Sequence, residues 1–248
     1  MATTTVARKS GSAGSPSQRK APFPVEFYRS ALGKKYVMAI TGMMLMGFVF
    51  AHMVGNLKMY VGADDLNQYG EFLKELLYPI LPKYGMLWIL RAGLLAAVAL
   101  HIHAAYSLTR MNQAARTVKY QSQRDYIAAN FASRTMRYSG VIVLLFIVWH
   151  LLDLTIGASV VSADFVYGQP YENTVNSLSR IPVGIFYIVA NLALGTHLFH
   201  GAWSLFQSMG WNNPRFNAWR RNFAAAFAAI IVIGNVSFPI AIMTGIVG

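Results

Sequence analysis

The chain has 248 residues, 55% of them hydrophobic and only 12% charged, with a formal net charge of +12 and no cysteine. Soluble domains carry about 25% charged residues, so this composition excludes an ordinary soluble protein and points to the membrane. Without cysteine there is no disulfide, no covalent c-type haem, no thiol nucleophile and no ligation of an iron–sulfur cluster by this chain.

In chain order, residues 1–23 form a basic tail rich in Ser, Lys, Arg and Gly, with no acid and little apolar sequence. It lacks the apolar core of a signal peptide and reads as a disordered cytoplasmic tail, an organellar transit peptide being the other source of such composition. Residues 24–248 form the membrane domain. "PVEFYRSALGKK" reads as a short interfacial helix ahead of the first span. Long uncharged runs, at about 20 residues per crossing, then predict five spans: 36–58, 85–109, 137–160, 182–208 and 222–246. Between the first two, Leu66, Tyr69, Phe72, Leu73 and Leu76 recur at spacings of three and four. They predict an amphipathic helix on the outer surface, its polar face carrying Glu71 and Glu75. Tyr84 and Trp88 fit an outer aromatic belt, Trp211 and Trp219 an inner one.

Most Lys and Arg lie in the N-terminal segment and in the loops after spans two and four. Lys58, Lys74, Lys83, Arg91 and Arg180 fall on the other side. The positive-inside rule therefore puts the N-terminus in the cytoplasm and the C-terminus outside. The positive charge needs no nucleic acid; it suits anionic lipid and a docking protein.

All six histidines lie within the spans: His52, His101, His103, His150, His197 and His200. At about 1.5 Å per helical residue, His52 and His150 lie roughly 20–25 Å above the inner ends of spans one and three. His101, His103, His197 and His200 lie roughly 10–18 Å up spans two and four by the same count. The histidines thus form an outer pair and an inner group. Imidazoles facing one another in a bundle are a way to hold haem b, and Gly47, Ala51, Gly55, Ala104, Gly195 and Gly201 leave room for a ring. Hydrogen bonds between helices or a proton-relay transporter would use the same residue types. Arg91, just inside span two, is costly unless it pairs with a haem propionate or Asp153, or snorkels to the interface.

Four stretches carry a more specific signal: "GFVFAHMVGNLKMY", "LHIHAAYSL", "LLFIVWHLLDL" and "GTHLFHGAWSLFQSMGWNNP". Together they resemble the cytochrome b membrane subunit of succinate dehydrogenase and fumarate reductase, in its single-subunit, five-helix, two-haem type. The resemblance spans residues 25–246. It implies an all-α bundle of five transmembrane helices around two b haems, in the bacterial cytoplasmic membrane. By that resemblance His52 and His150 ligate the outer haem, and His103 and His197 the inner one. His103 is preferred to His101 for its His-Ala-x-x-Ser context; His200 becomes a donor to a propionate or quinone. The resemblance also implies a flavoprotein and an iron–sulfur subunit docked on the cytoplasmic face, oligomerisation of the whole complex, and a quinone, menaquinone in this type, as electron partner. A carboxylate near the outer haem would handle quinone protons, for which Glu71 or Glu75 would serve. The other readings are a membrane cytochrome b of a different quinone-linked dehydrogenase, or a histidine-relay transporter without haem.

Overall fold

In a computed structural model the described residues are 22–115, 127–162, 164–211 and 213–248. The tail and most of the loop after span two lie outside them. Helices α1 (Phe23–Arg29), α2 (Ala31–Asn56), α3 (Ala63–Lys74), α4 (Gly85–Ala114), α5 (Ile127–Leu151), α6 (Pro170–Leu178), α7 (Ile181–Ser208) and α8 (Asn217–Met243) follow in order, with no strand among the described residues.

Five helical stretches are long and apolar enough to cross a membrane: Ala31–Tyr60, Gly85–Ala114, Thr135–Ile156, Ile181–Ser208 and Pro214–Met243. They coincide with the five expected spans. Several are 30 residues long, about 45 Å at 1.5 Å per residue, and so overrun a hydrocarbon core of about 30 Å. Ile40, Met44, Phe48, Leu95, Leu100, Leu145 and Ile233 are exposed on the bundle surface, which is where lipid takes the place of a protein core.

The interfacial helix expected before the first span is α1. Ser30 separates it from α2 by accepting the Gly33 N–H at 2.9 Å, an N-cap that starts a new helix. The outer amphipathic helix is shorter than the pattern suggested. α3 covers only Ala63–Lys74, with Leu66 and Tyr69 turned to the bundle and Phe72 exposed. A second outer helix, α6, was not anticipated. Its polar sequence "PYENTVNSL" carries no span signal, and Pro170 starts it. Asn67 of α3 ties the two together, donating to Glu172 at 3.0 Å and accepting the Tyr171 N–H at 3.1 Å.

The packing order positions the site. α2 lies along α4, α5 along α7, and α7 along α8, with α2 also touching α7. Buried Ala97, Ala104, Ala190, Ala202, Ala224 and Ala228 allow these close approaches. By contrast α2 and α5 do not pack extensively on each other, nor do α4 and α7. The bundle is therefore built from two tight pairs facing across a wider seam. An apolar cluster of Met59, Leu66, Leu178, Tyr187, Phe238 and Ile242 closes its outer end beneath α3 and α6.

The last turn of span three departs from α geometry. Leu152–Ile156 is a π-helical turn, ended by Gly157 at φ 67°. A Cβ at Gly157 would lie 2.1 Å from the Phe165 ring, so both the backbone and the space demand glycine. The turn carries Asp153 into the interior, where it is fully buried.

Candidate functional site

Two imidazole pairs bridge the seam. His52 on α2 and His150 on α5 have ring centres 5.9 Å apart at 81°. His101 on α4 and His197 on α7 have centres 6.4 Å apart at 63°. Each pair joins two helices that do not otherwise pack closely.

The inner pair differs from the sequence expectation for span two in which imidazole faces His197. His103 does not face His197. It points to the other side of α4, where its Nδ1 bonds the Tyr28 hydroxyl and its ring stacks on Tyr28 at 5.7 Å. Two residues turn a helix by about 200°, so only one of the pair can face the seam. The buried residues of α4 decide which: Ala97, Ala104 and Leu108 form a stripe, and His101 lies on it at spacings of four and three. The sequence alone does not choose between the faces, since Ala92, Ala96 and Ala99 stand at the same kind of spacing before His103.

What holds the rings is also visible. His101 Nδ1 lies 3.1 Å from the Met38 carbonyl and 3.2 Å from Thr41 Oγ1. A carbonyl only accepts, so this Nδ1 carries the hydrogen and Nε2 presents its lone pair. Thr41 spends its own proton on the Val37 carbonyl at 2.7 Å, leaving its oxygen to accept. The arrangement recurs on α5. Ser139 donates to the Met136 carbonyl at 3.2 Å and meets His197 Nδ1 at 3.3 Å. Gly42 and Gly140 lie against the two rings with the same geometry: a Cβ on either would sit 3.4 Å from the imidazole Cε1. Met38, Thr41 and Gly42 of α2 thus correspond to Met136, Ser139 and Gly140 of α5. In the outer pair, His150 Nδ1 lies 3.4 Å from the Tyr187 hydroxyl. None of these supporting groups was singled out by the sequence, because each lies on a different span from the imidazole it serves.

Among the described residues no three His, Asp or Glu side chains converge as a metal site. A bare ion would find only two protein ligands here. A porphyrin brings four nitrogens of its own and asks for two more, one on each face. Imidazole nitrogens about 2 Å from a shared metal put the ring centres roughly 6 Å apart, close to both observed separations. Among the described residues no Nε2 of the four imidazoles makes a hydrogen bond. The residues present therefore fit two bis-histidine haems. His200, one turn along α7 from His197, has a buried Nδ1 with no hydrogen-bond partner among the described residues.

A model of the succinate dehydrogenase/fumarate reductase transmembrane subunit family matches residues 109–236, just over half of the chain. The chain belongs to that family. Comparison with curated proteins and with solved structures found no match. This succinate dehydrogenase/fumarate reductase membrane subunit is thus a multi-pass component of a multisubunit oxidoreductase. The matched stretch contains His150, His197 and His200.

The remaining candidates lie as follows. Arg91 does not pair with Asp153, which is taken by Arg180 at 3.1 Å. Its guanidinium instead lies over the Trp88 ring at 5.2 Å, a cation–π contact at the outer edge of span two. Glu71 and Glu75 are exposed on the outer face, with Lys74 2.5 Å from Glu71 and Lys83 2.9 Å from Glu75. The hydrogen bond from Lys74 holds Glu71 below the usual carboxylate range. Such a group is ionised at neutral pH, and its ion pair is lost only as pH falls through that lowered value.

Proposed function

We propose that this subunit links a succinate- or fumarate-converting dehydrogenase to a membrane quinone, menaquinone by its resemblance, with His52/His150 and His101/His197 as axial ligands of two b haems. The observation that carries the reading is the pair of imidazole couples across the seam, each about the width of a shared metal. Bound haem supplies one-electron carriers at two depths, which is what an electron path across a membrane requires. The chain's own residues do the rest. Met38, Thr41 and Ser139 fix the inner imidazoles with Nε2 bare. Gly42 and Gly140 admit the rings, and His200 is the donor we assign to a propionate or quinone. The basic inner loops suit an iron–sulfur subunit, itself joined to a flavoprotein, at the cytoplasmic face of a bacterial membrane. Both directions of the dicarboxylate reaction use these parts.

The test is to purify the whole complex and measure haem per membrane subunit and its reduction by succinate. Two haems per chain, reduced on adding succinate, are expected. A complex without haem, or with haem that succinate does not reduce, sinks the reading.

Glu71 is the carboxylate we assign to quinone protons on the outer face: kept ionised by Lys74, it takes a proton released when quinol is oxidised, or takes one from water and passes it on when quinone is reduced. Glu71→Gln is then expected to slow quinone turnover at neutral pH without changing haem content. Equal turnover of Glu71→Gln and wild type from pH 5 to 8 would reduce the carboxylate to a solvated ion pair.

A further inference from the structure

We infer that Asp153 is a positioning residue for the outer haem, acting through Tyr187 on the donor strength of His150; this rests on reading His150 as an axial ligand. Asp153 is fully buried, and its oxygens are filled from three sides. Oδ1 accepts from Arg180 Nη2 at 3.1 Å, and Oδ2 accepts from the Ser177 hydroxyl and from the Tyr187 hydroxyl at 3.0 Å. A carboxylate in an ion pair only accepts, so Tyr187 must spend its single proton on Asp153. What Tyr187 shows to His150 is then a lone pair. Nδ1 of His150, 3.4 Å away, keeps its hydrogen and turns it to the phenol oxygen, and Nε2 is the bare nitrogen.

Metal-binding histidines are commonly backed by a carboxylate that fixes the tautomer and raises ligand basicity. Here a phenol is inserted between the two. Negative charge behind the chain draws the Nδ1 hydrogen outward and makes Nε2 a stronger donor, which favours the oxidised and more positive iron. Arg180 offsets the charge only in part. Its side chain is 42% exposed, whereas Asp153 is at 0%, so water screens the cation more than the anion. The inner imidazoles have no such backing, since Thr41 and Ser139 donate to neutral carbonyls. In the outer pair the effect is confined to His150: among the described residues neither nitrogen of His52 is hydrogen-bonded, and its ring stacks on Phe48 besides facing His150. The structure thus assigns a charge-backed ligand to one haem and neutral-backed ligands to the other.

The experiment is a redox titration of both haems in the purified complex, for wild type, Asp153→Asn, Tyr187→Phe and the double variant. Each single variant is expected to raise the outer midpoint by about a tenfold change in the reduced-to-oxidised ratio, about 59 mV for one electron. The inner midpoint stays put. Because the two residues act in series, the double variant shifts no further than Tyr187→Phe alone. An unmoved outer midpoint in Tyr187→Phe, a shift shared by both haems, or additive shifts in the double variant would each overturn the proposal. Should Asp153→Asn fail to assemble, Tyr187→Phe decides alone, since it removes one hydroxyl and keeps the ring in the outer apolar cluster. A wild-type complex lacking the outer haem sinks the ligand reading itself, and is told apart by haem content before any titration.

Discussion

Alanine in place of His101 is expected to empty the inner haem site, while alanine in place of His103 leaves it filled. His101 faces His197 across 6.4 Å and has its Nδ1 pinned by Met38 and Thr41. On the proposed assignment its removal would take away one of the two imidazoles that hold the inner haem, with no neighbouring side chain to replace it. His103 cannot swing in, because a turn of about 200° would carry the Ala97, Ala104 and Leu108 stripe out of its packing. Haem per chain should fall by about half in His101→Ala, as it should in His197→Ala. His103→Ala loses only the contact with Tyr28, so its effect falls on the seating of α1 at the inner interface. Spectra of the two variants, each scored for the inner haem, settle the matter. Inner haem retained in His101→Ala and lost in His103→Ala would restore the assignment that local sequence context suggests.

The second large effect belongs to the outer pair. His52→Ala and His150→Ala are each expected to remove the outer haem and leave the inner one intact. Succinate-dependent quinone reduction should then fall by more than the roughly 10- to 100-fold typical of losing a group that merely supports a ligand. Succinate oxidation measured with a soluble dye should survive, since in the proposed complex that chemistry would belong to the partner subunits. The dye assay thus separates a severed path from a collapsed complex. Loss of both haems together in His52→Ala would show that the two sites are not independent.

Much of this was legible before any coordinates. Five uncharged runs mark five spans because the cost of a charge in hydrocarbon leaves few other patterns. Counting residues up each span put His52 level with His150, and the inner group level with His197, because helical rise converts sequence position into depth with little error. Rotation about the helix axis is less forgiving. A two-residue choice between His101 and His103 reverses the direction of the side chain, and only the buried face of α4, with Ala97, Ala104 and Leu108, reveals it. Tyr187, Thr41 and Ser139 stayed hidden for another reason. They act on imidazoles 37, 60 and 58 residues away, through packing that no local pattern encodes. Asp153 enters the sequence reading only as one of the options open to Arg91; its ion-pair partner Arg180 is not signalled, because the polar helix α6 that leads into it carries no membrane signal.

Each imidazole couple takes one member from the first two spans and one from the next two. A nascent chain that has inserted only α2 and α4 therefore holds half of each couple and the whole of neither. On the proposed assignment the outer couple is complete once α5 has entered the bilayer and the inner couple only once α7 has, so a fully loaded chain would be one whose insertion has reached the fourth span. With the proposed ligands, a truncation after α4 would be colourless however well its two helices inserted.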